Sequence, residues 1–458
     1  MRFSLSVKDI EGSHGKLYRF HEGYTQHFLT KTRNIAKQSY QYLHGKLIGK
    51  GRGNMCSYAK EVPDCNNQSL QHFVSNSPWK HQPVLDHIQR DVVEAIGDSE
   101  HGSLHVDECC FPKQGHGSVG VKHQHCGRLG KTANCQVGVF LAYTKDSYRT
   151  LIDERLYLPE DWIHDNVRRK KCGVPWYIRF KTKNQLAWEM IHRAKRKNKM
   201  PFGWIGMDCF YGRDSWLRNK IDQQGLIYIA DIPNNLGVWL QRPKTGVPPR
   251  KKGARGRYPT RVKVIDGPDS IKVRDLKNQL SDEQWHQVFI RDTERRELWA
   301  DMACLRVFPK EKNGLPGDEC WLVIRKDPKH QKDIKYQLSN APVDTSRDRL
   351  GEMSGSRFWI ERAFEDGKGI AGLADYQVRS WMGWHHHMTM TILAMLYLMV
   401  LSIDLGKKVD FLTVQDVKEI FEVIMPKREV TSEELLMLLY EKHKRRLSAR
   451  RSHHKRCR

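Results

Sequence analysis

The spacing of hydrophobic residues changes along the chain, and the first segment, residues 1–97, has the spacing typical of helices. Its apolar residues recur three or four positions apart in two groups, separated by a break at Pro78. The groups are Leu70, Phe73 and Val74, then Val84, Ile88, Val92 and Ile96. We therefore predict a helical N-terminal region, which is either a DNA-binding module or a scaffold.

Between residues 98 and 240, apolar runs typical of strands alternate with amphipathic stretches typical of helices. Three strand-like runs come first, and a helix, a strand, a second helix and a strand follow. The three runs are SLHVDECCF, CQVGVFLAY and YRTLIDERLYL. This order predicts an α/β fold in which helices cover a mixed sheet.

The alternation stops at residue 241, and residues 241–345 are rich in Pro, Gly and short β-like runs. We interpret this segment as an all-β insertion. The helical pattern returns in residues 346–405, which are predicted to complete the α/β core. Residues 406–458 are predicted to form a helical, basic C-terminal region.

The longest apolar run extends from Met388 to Ile403, and its 16 residues carry no formal charge. A membrane-spanning helix needs about 20 residues, so a buried core helix is the better prediction. The N-terminus lacks the apolar core of a signal peptide, and the 11 cysteines form no paired framework. We therefore expect a reduced, cytoplasmic compartment, with the protein associated with the nucleoid.

The charge balance is strongly positive: 78 Lys and Arg against 53 Asp and Glu give a net charge of +25. Such a charge favours a polyanionic partner, because neutralised phosphates release condensed counterions. A ribosomal or heparin-like binder is the alternative. Residues 242–263 carry nine Lys or Arg and no acid, so Arg250, Lys251 and Lys252 are candidate phosphate contacts. A solvated loop would have the same composition.

Two acids end apolar strand-like runs, where burial is costly without a compensating cation. Asp107 ends LHVD and Asp208 ends FGWIGMD. Carboxylates that converge from rigid elements can hold the divalent ions that phosphodiester chemistry uses. Each acid alone could equally be a helix cap or a surface residue, but two of them in one predicted sheet favour a site.

A third acid, Glu361, lies in a predicted helix with Arg357 four residues before it and Lys368 seven residues after it. At about 100° per residue, the two basic residues lie about 40° and about −20° from Glu361, so all three share one face. A surface ladder of ion pairs would look similar. As a functional face, it would place a metal ligand between two phosphate contacts.

The segment RFWIERAFEDGK resembles the third-acid helix of insertion-sequence DDE transposases, in the branch with the signature Y-x2-R-x3-E-x6-K. Arg357, Glu361 and Lys368 match three of the four signature positions, and Ser354 takes the place of the Tyr. The stretches HVDECCFPKQGHGSVGV, LGKTANCQVGVFLAY, RLYLPEDW and YQVRSWMGWHHH also resemble these enzymes. The likeness extends from about residue 65 to about residue 405.

The resemblance implies an RNase H-like core interrupted by a β insertion, with Asp107, Asp208 and Glu361 as the catalytic, metal-binding triad. It implies two Mg²⁺ or Mn²⁺ ions per active site. It also implies cut-and-paste activity: nicking at the terminal inverted repeats of the element, then attack of the freed 3′-hydroxyl on target DNA. No covalent enzyme–DNA intermediate is expected, and pairing two ends implies a homodimer in the synaptic complex.

Two other functions stay open. One is a transposase-derived DNA-binding protein without catalysis, which the presence of all three acids disfavours. The other is a structure-specific nuclease on the same core, which would cut DNA without joining ends.

Overall fold

The N-terminal region is helical, as its apolar spacing predicts. In the computed structural model, the described residues are 2–49, 53–250, 257–292, 296–328, 333–410, 412–429 and 431–456. The region contains α1 (Val7–Glu22), α2 (Ala36–Ile48), α3 (Met55–Glu61), α4 (Asn67–Ser75) and α5 (His81–Ile96). Polar side chains cap several of these helices. Before α4, for example, Asn66 accepts hydrogen bonds from the backbone N–H groups of Gln68 and Ser69.

The next segment builds the centre of the sheet. Its strands are β1 (Ser103–Pro112), β2 (Lys122–Cys126), β3 (Lys131–Lys145), β4 (Tyr148–Leu156), β5 (Trp204–Met207) and β6 (Tyr228–Asp231). Its helices are α6 (Glu160–His164), α7 (Asn166–Cys172), α8 (Lys183–Arg196), α9 (Cys209–Gly212) and α10 (Ser215–Asp222).

Five of these strands lie side by side in the order β4–β3–β1–β5–β6. The first three pair antiparallel, whereas β1, β5 and β6 run parallel to one another. Strand β2 pairs with the other end of β3. The mixed α/β sheet predicted from the sequence is thereby confirmed, and it is consistent with an RNase H-like core.

The β-rich segment continues this sheet. Its elements are β7 (Gly237–Trp239), β8 (Lys244–Gly246), β9 (Lys263–Asp266), β10 (Ile271–Lys272), α11 (Val273–Lys277), β11 (His286–Asp292), β12 (Glu297–Pro309), β13 (Cys320–Lys326) and β14 (Ile334–Ser339). Because β14 pairs antiparallel with β6, the strands β7 and β10–β14 extend the core sheet, while β8 and β9 form a small sheet of their own.

Besides a 3-10 helix at Asp282–Gln284, the prediction that residues 241–345 are all β is wrong at the helix α11. Val273 and Leu276 are its buried residues, three positions apart, so the turn buries one helical face. Its five residues are too few for periodicity to show in the sequence.

The C-terminal part of the chain returns to helices: α12 (Arg347–Ser356), α13 (Phe358–Gly369), α14 (Trp381–Gly406), α15 (Val414–Ile424) and α16 (Ser432–Arg456). Helix α14 is long and apolar enough to cross a membrane, yet 83% of its apolar window is buried within the protein. It packs against β4 and against α2, α4 and α5. It is therefore the core helix that the sequence predicts.

The histidines at the start of α14 attach the N-terminal region to this core helix. Both ring nitrogens of His386 lie 2.9 Å from backbone carbonyl oxygens, those of Val74 and Trp79. The His387 Nδ1 lies 2.8 Å from the Tyr42 hydroxyl. Because these side chains are buried and bonded to other segments, they have structural roles.

Candidate active site

The two acids that the sequence analysis placed at strand ends are neighbours, but only Asp208 follows the end of a strand. Asp107 is the fifth of the ten residues of β1, so its predicted position at a strand end is wrong: the strand continues to Pro112. Strands β1 and β5 run parallel with Val106 opposite Met207, so the next residues along each strand are Asp107 and Asp208. Neighbouring strands are about 4.8 Å apart, which brings the two carboxylates to one edge of the site. The register therefore makes the two acids neighbours, and their role as metal ligands stays a prediction.

Asp208 is at once a helix cap and a member of this pair. It follows β5 and precedes α9, and its Oδ1 accepts hydrogen bonds of 3.0 Å from the N–H groups of Phe210 and Tyr211. These bonds fix the orientation of the carboxylate. Among the described residues, none donates a hydrogen bond to Oδ2, which leaves that oxygen for a ligand.

Glu361 reaches the pair through Arg357. Helix α12 ends at Ser356 and α13 begins at Phe358, with Arg357 between them in helical conformation. The Arg357 Nη2 lies 2.5 Å from Glu361 Oε1, and its Nη1 lies 3.7 Å from Asp107 Oδ2. The charge of Asp208 also acts on Arg357. The three predicted acids therefore gather around one guanidinium group.

A fourth acid, Asp231, belongs to the same cluster, and the sequence analysis missed it. It ends β6 beside β5, and its Oδ2 lies 3.1 Å from Arg357 Nε. The amide of Gln337, from β14 of the insertion, donates a 2.7 Å hydrogen bond to Asp231 Oδ1. Asp231 ends the apolar run LIYIAD, so the signal that singled out Asp107 and Asp208 was also present here.

Asp107 and Asp208 hold their protons tightly although Arg357 lies beside them. Burial raises the pKa of Asp107 to about 7, and the negative charge of Asp208 adds to the rise. Burial also raises the pKa of Asp208, against the lowering effect of the Tyr211 N–H and of Arg357. Converging, buried carboxylate oxygens that hold protons this tightly fit a hard divalent cation such as Mg²⁺ or Mn²⁺.

This pKa shift predicts a pH-dependent stability of the metal-free protein. Folded Asp107 holds its proton more tightly than the unfolded chain, whose pKa is near 3.8. The contribution of Asp107 to the free energy of unfolding is therefore complete below pH about 4. It is lost as the pH rises to about 7, which lowers the free energy of unfolding by roughly 2–4 kcal/mol. Urea unfolding in EDTA measures the free energy of unfolding at pH 5 and at pH 8. The decrease between the two pH values should be smaller for Asp107→Asn than for the wild type. Equal decreases in both proteins would contradict the shift.

Lys368 lies near the cluster, on the sheet side of α13. Its ammonium is close enough to the Cys109 thiol on β1 to oppose the burial that raises the pKa of that thiol to about 12. Cys109 is two residues from Asp107 on the same face of the strand. Lys368 thus lies beside the acids, and its DNA contact stays a prediction.

Two other residues from the sequence analysis lie away from the acids. Ser354 is buried in α12, so the position that holds Tyr in the signature faces the interior. Arg250 is exposed and its guanidinium lies 4.4 Å from the Tyr258 ring. Lys251 and Lys252 fall outside the described residues. DNA contacts by this loop stay predictions.

The β-rich segment contributes basic residues that the sequence analysis did not single out. Arg325 of β13 stands opposite Lys335 of β14. Burial lowers the pKa of both side chains, and the charge of Asp231 acts in the opposite direction on each. Arg291 of β11 also acts on Arg325. A basic wall, defined by Arg291, Arg325 and Lys335, therefore borders the acidic cluster.

Comparison with known proteins identifies the family of the chain. The chain matches the family described as DDE superfamily endonuclease over residues 24–297. A probable transposase for insertion sequence element IS701 from Microchaete diplosiphon is 23% identical over 347 residues, which cover 74% of this chain and 77% of that protein. Both findings confirm the resemblance stated from the sequence.

The family match contains three of the clustered acids, Asp107, Asp208 and Asp231, and ends before Glu361. The assignment of Glu361 to the site therefore rests on its contact with Arg357 and not on the family match. Since the match covers more than half of the chain, the protein belongs to the DDE superfamily of endonucleases.

Proposed function

We propose that this protein is an insertion-sequence transposase that cuts DNA at the ends of its element and joins the freed strand to target DNA. The observation that carries the proposal is the gathering of Asp107, Asp208 and Glu361 around Arg357. The similarity to a probable IS701 transposase and the net charge of +25 support it.

Asp107, Asp208 and Glu361 would hold two divalent ions, Mg²⁺ or Mn²⁺, and Asp231 would lie at the edge of the same site. When bound, such ions supply Lewis acidity that lowers the pKa of the attacking group and stabilises the leaving oxygen. Arg357 neutralises the acids in the absence of ions. With ions bound, its guanidinium becomes available to a phosphate, as the sequence analysis predicts.

Cleavage and joining are two displacements at phosphorus. In the first, a water molecule loses a proton as its oxygen bonds to the scissile phosphorus, and the bond from phosphorus to the 3′-oxygen of the element breaks. That oxygen takes up a proton, so the element ends in a 3′-hydroxyl. In the second, this 3′-oxygen loses its proton and bonds to a target phosphorus, whose own 3′-oxygen leaves and is protonated. No Tyr or Ser nucleophile takes part.

Local contacts of the chain position the acids for these steps. The N–H groups of Phe210 and Tyr211 fix Asp208, and Gln337 fixes Asp231. The loss of hydrogen bonds that orient a metal ligand typically lowers metal affinity or activity 10- to 100-fold. The insertion therefore helps to order the site as well as to enlarge the DNA-facing surface.

The basic wall predicts how DNA binding responds to single substitutions. Lys335→Gln and Arg325→Gln should each weaken binding to DNA of any sequence, and each should lower the slope of log affinity against log salt by about one. Fluorescence anisotropy over a range of salt concentrations measures both quantities. The exposed Lys407, which follows α14, provides the control Lys407→Gln. A salt slope that stays at the wild-type value would remove these residues from the DNA interface.

Incubation with terminal-repeat DNA and Mg²⁺ tests the function as a whole. We expect cleavage at the repeat ends and covalent joining of those ends to target DNA, in a complex that contains at least two copies of the chain. Binding that persists in EDTA, with no cleavage in Mg²⁺, would indicate a transposase-derived DNA-binding protein. Cleavage without joining would indicate a structure-specific nuclease.

A further inference from the structure

The segment between α7 and α8 presents two aromatic side chains to solvent. Trp176 is 81% exposed and the adjacent Tyr177 is 61% exposed. Their rings lie 6.0 Å apart, nearly perpendicular to each other. Large aromatic residues normally bury most of their surface, so a neighbouring pair this exposed indicates a binding function.

The exposure of this pair, named here the aromatic platform, results from an ordered backbone. The Arg169 guanidinium donates hydrogen bonds to four carbonyl oxygens around the segment, those of Ile163, Pro175, Trp176 and Ile178, at 2.9 to 3.3 Å. One arginine thus ties the segment to the end of α6. The backbone is held while the two rings point outward, which makes the platform pre-organised.

The surroundings of the platform are positively charged. Residues 166–188 contain seven basic residues and no acid: Arg168, Arg169, Lys170, Lys171, Arg179, Lys181 and Lys183. Of these, Lys170, Lys171 and Arg179 are exposed. Basic residues interleaved with exposed aromatics are typical of surfaces that bind single-stranded nucleic acid, where bases stack and phosphates pair with cations. Arg168, Lys181 and Lys183 pair with the acids Asp165, Glu189 and Glu108, so the charge that this surface offers to a ligand is that of the three exposed cations. Those cations beside two exposed rings favour a nucleic acid over a protein partner.

The platform is connected to the candidate active site by a short stretch of chain. Lys183, the first residue of α8, has its Nζ 2.7 Å from Glu108 Oε1 and 5.0 Å from the Phe210 ring centroid. Glu108 follows Asp107, and Phe210 is two residues after Asp208. Trp176 is seven residues before Lys183, so it lies at most about 25 Å from this contact.

We propose that the aromatic platform stacks unpaired bases of DNA whose phosphate backbone passes through the acidic cluster. The proposal rests on the proposed function for the DNA substrate. It adds a binding site for single-stranded nucleotides, with Trp176 as the main stacking surface and Lys170 and Lys171 as phosphate contacts.

Fluorescence anisotropy in EDTA tests the platform without cleavage. The full-length protein is titrated against a labelled single strand, a duplex of the same length, and that duplex with a single-stranded overhang. We expect Trp176→Ala to weaken binding of the single strand and the overhang by about 5- to 100-fold. Binding of the blunt duplex should be unchanged. Trp176→Phe should retain most of the affinity, because it keeps an aromatic face.

Controls separate stacking from charge and from misfolding. Trp216→Ala removes a tryptophan that is 39% exposed on α10, and it should bind all three probes as the wild type does. Lys170→Gln should weaken binding of all three. Circular dichroism checks that each variant is folded.

Several results would overturn the platform. The first is that Trp176→Ala binds all three probes as tightly as the wild type does. The second is that Trp176→Ala loses the same affinity for all three probes. The third is that Trp176→Ala changes the mass of the DNA-free protein, measured by light scattering, and leaves DNA binding unchanged. The last would assign the surface to a protein interface.

The platform and the proposed function can fail separately. If terminal-repeat DNA is cleaved in Mg²⁺ while Trp176→Ala binds every probe normally, only the platform is wrong. If no cleavage occurs but the single strand binds through Trp176, the platform stands without the transposase.

Discussion

Glu361→Gln and Asp208→Asn are each expected to reduce DNA strand cleavage by at least about 10³-fold while the protein stays folded. Each substitution removes one carboxylate charge from the cluster that would hold the ions. Asn at position 208 can still cap α9, because its side-chain oxygen accepts the same N–H groups. Initial cleavage rates on terminal-repeat DNA in Mg²⁺ measure the effect.

Helix α13 supplies a matched control for Glu361. Glu365 lies one turn further along, is exposed, and pairs with Arg362 at 2.7 Å. Glu365→Gln removes the same charge from the same helix outside the acidic cluster, so it should cleave at the wild-type rate. Comparable rates for Glu361→Gln and Glu365→Gln would remove Glu361 from the site.

Asp231→Asn is expected to lower the cleavage rate by about 10- to 100-fold, the range found for residues that position ligands and tune a metal site. Asp231 shares Arg357 with Asp107 and receives a hydrogen bond from Gln337. Without its charge, Arg357 pairs more strongly with Asp107 and Glu361 and competes with the ions. The apparent Mg²⁺ affinity, measured from the concentration dependence of cleavage, should therefore also fall.

The control for Asp231 is Asp266→Asn. Asp266 is an exposed acid at the end of β9, where it pairs with Lys244 at 3.5 Å. It has no contact with the acidic cluster among the described residues, so its loss should change neither rate nor Mg²⁺ affinity. If Asp231→Asn behaves like Asp266→Asn, the fourth acid plays no part in the reaction.

The sequence predicted the parts of the site that depend on local pattern. Asp107 and Asp208 each follow an apolar run, and the parallel pairing of β1 with β5 brings them side by side although Asp107 lies within its strand. The spacing of Arg357 and Glu361 fixes their contact wherever the helix lies, and the ion pair is present. Asp231 also ends an apolar run, so the pattern that marks Asp107 and Asp208 as candidates marks Asp231 as well.

Other features depend on pairings between distant segments, which local spacing cannot specify. The contact of Arg357 with Asp107 and Asp231 depends on how α13 packs against the sheet, more than a hundred residues from either acid. The pairing of β14 with β6 brings Gln337 and the basic wall to the acids. Periodicity predicted these strands but not the sheet that they extend.

The most direct test of the proposed metal site is a diffraction experiment on crystals soaked in Mn²⁺, with an anomalous difference map. We expect anomalous peaks at about 2.1 Å from carboxylate oxygens of Asp107 and Asp208, and one within reach of Glu361, with Arg357 displaced from the acids. A map without a peak among these carboxylates, at Mn²⁺ concentrations that support cleavage, would contradict it.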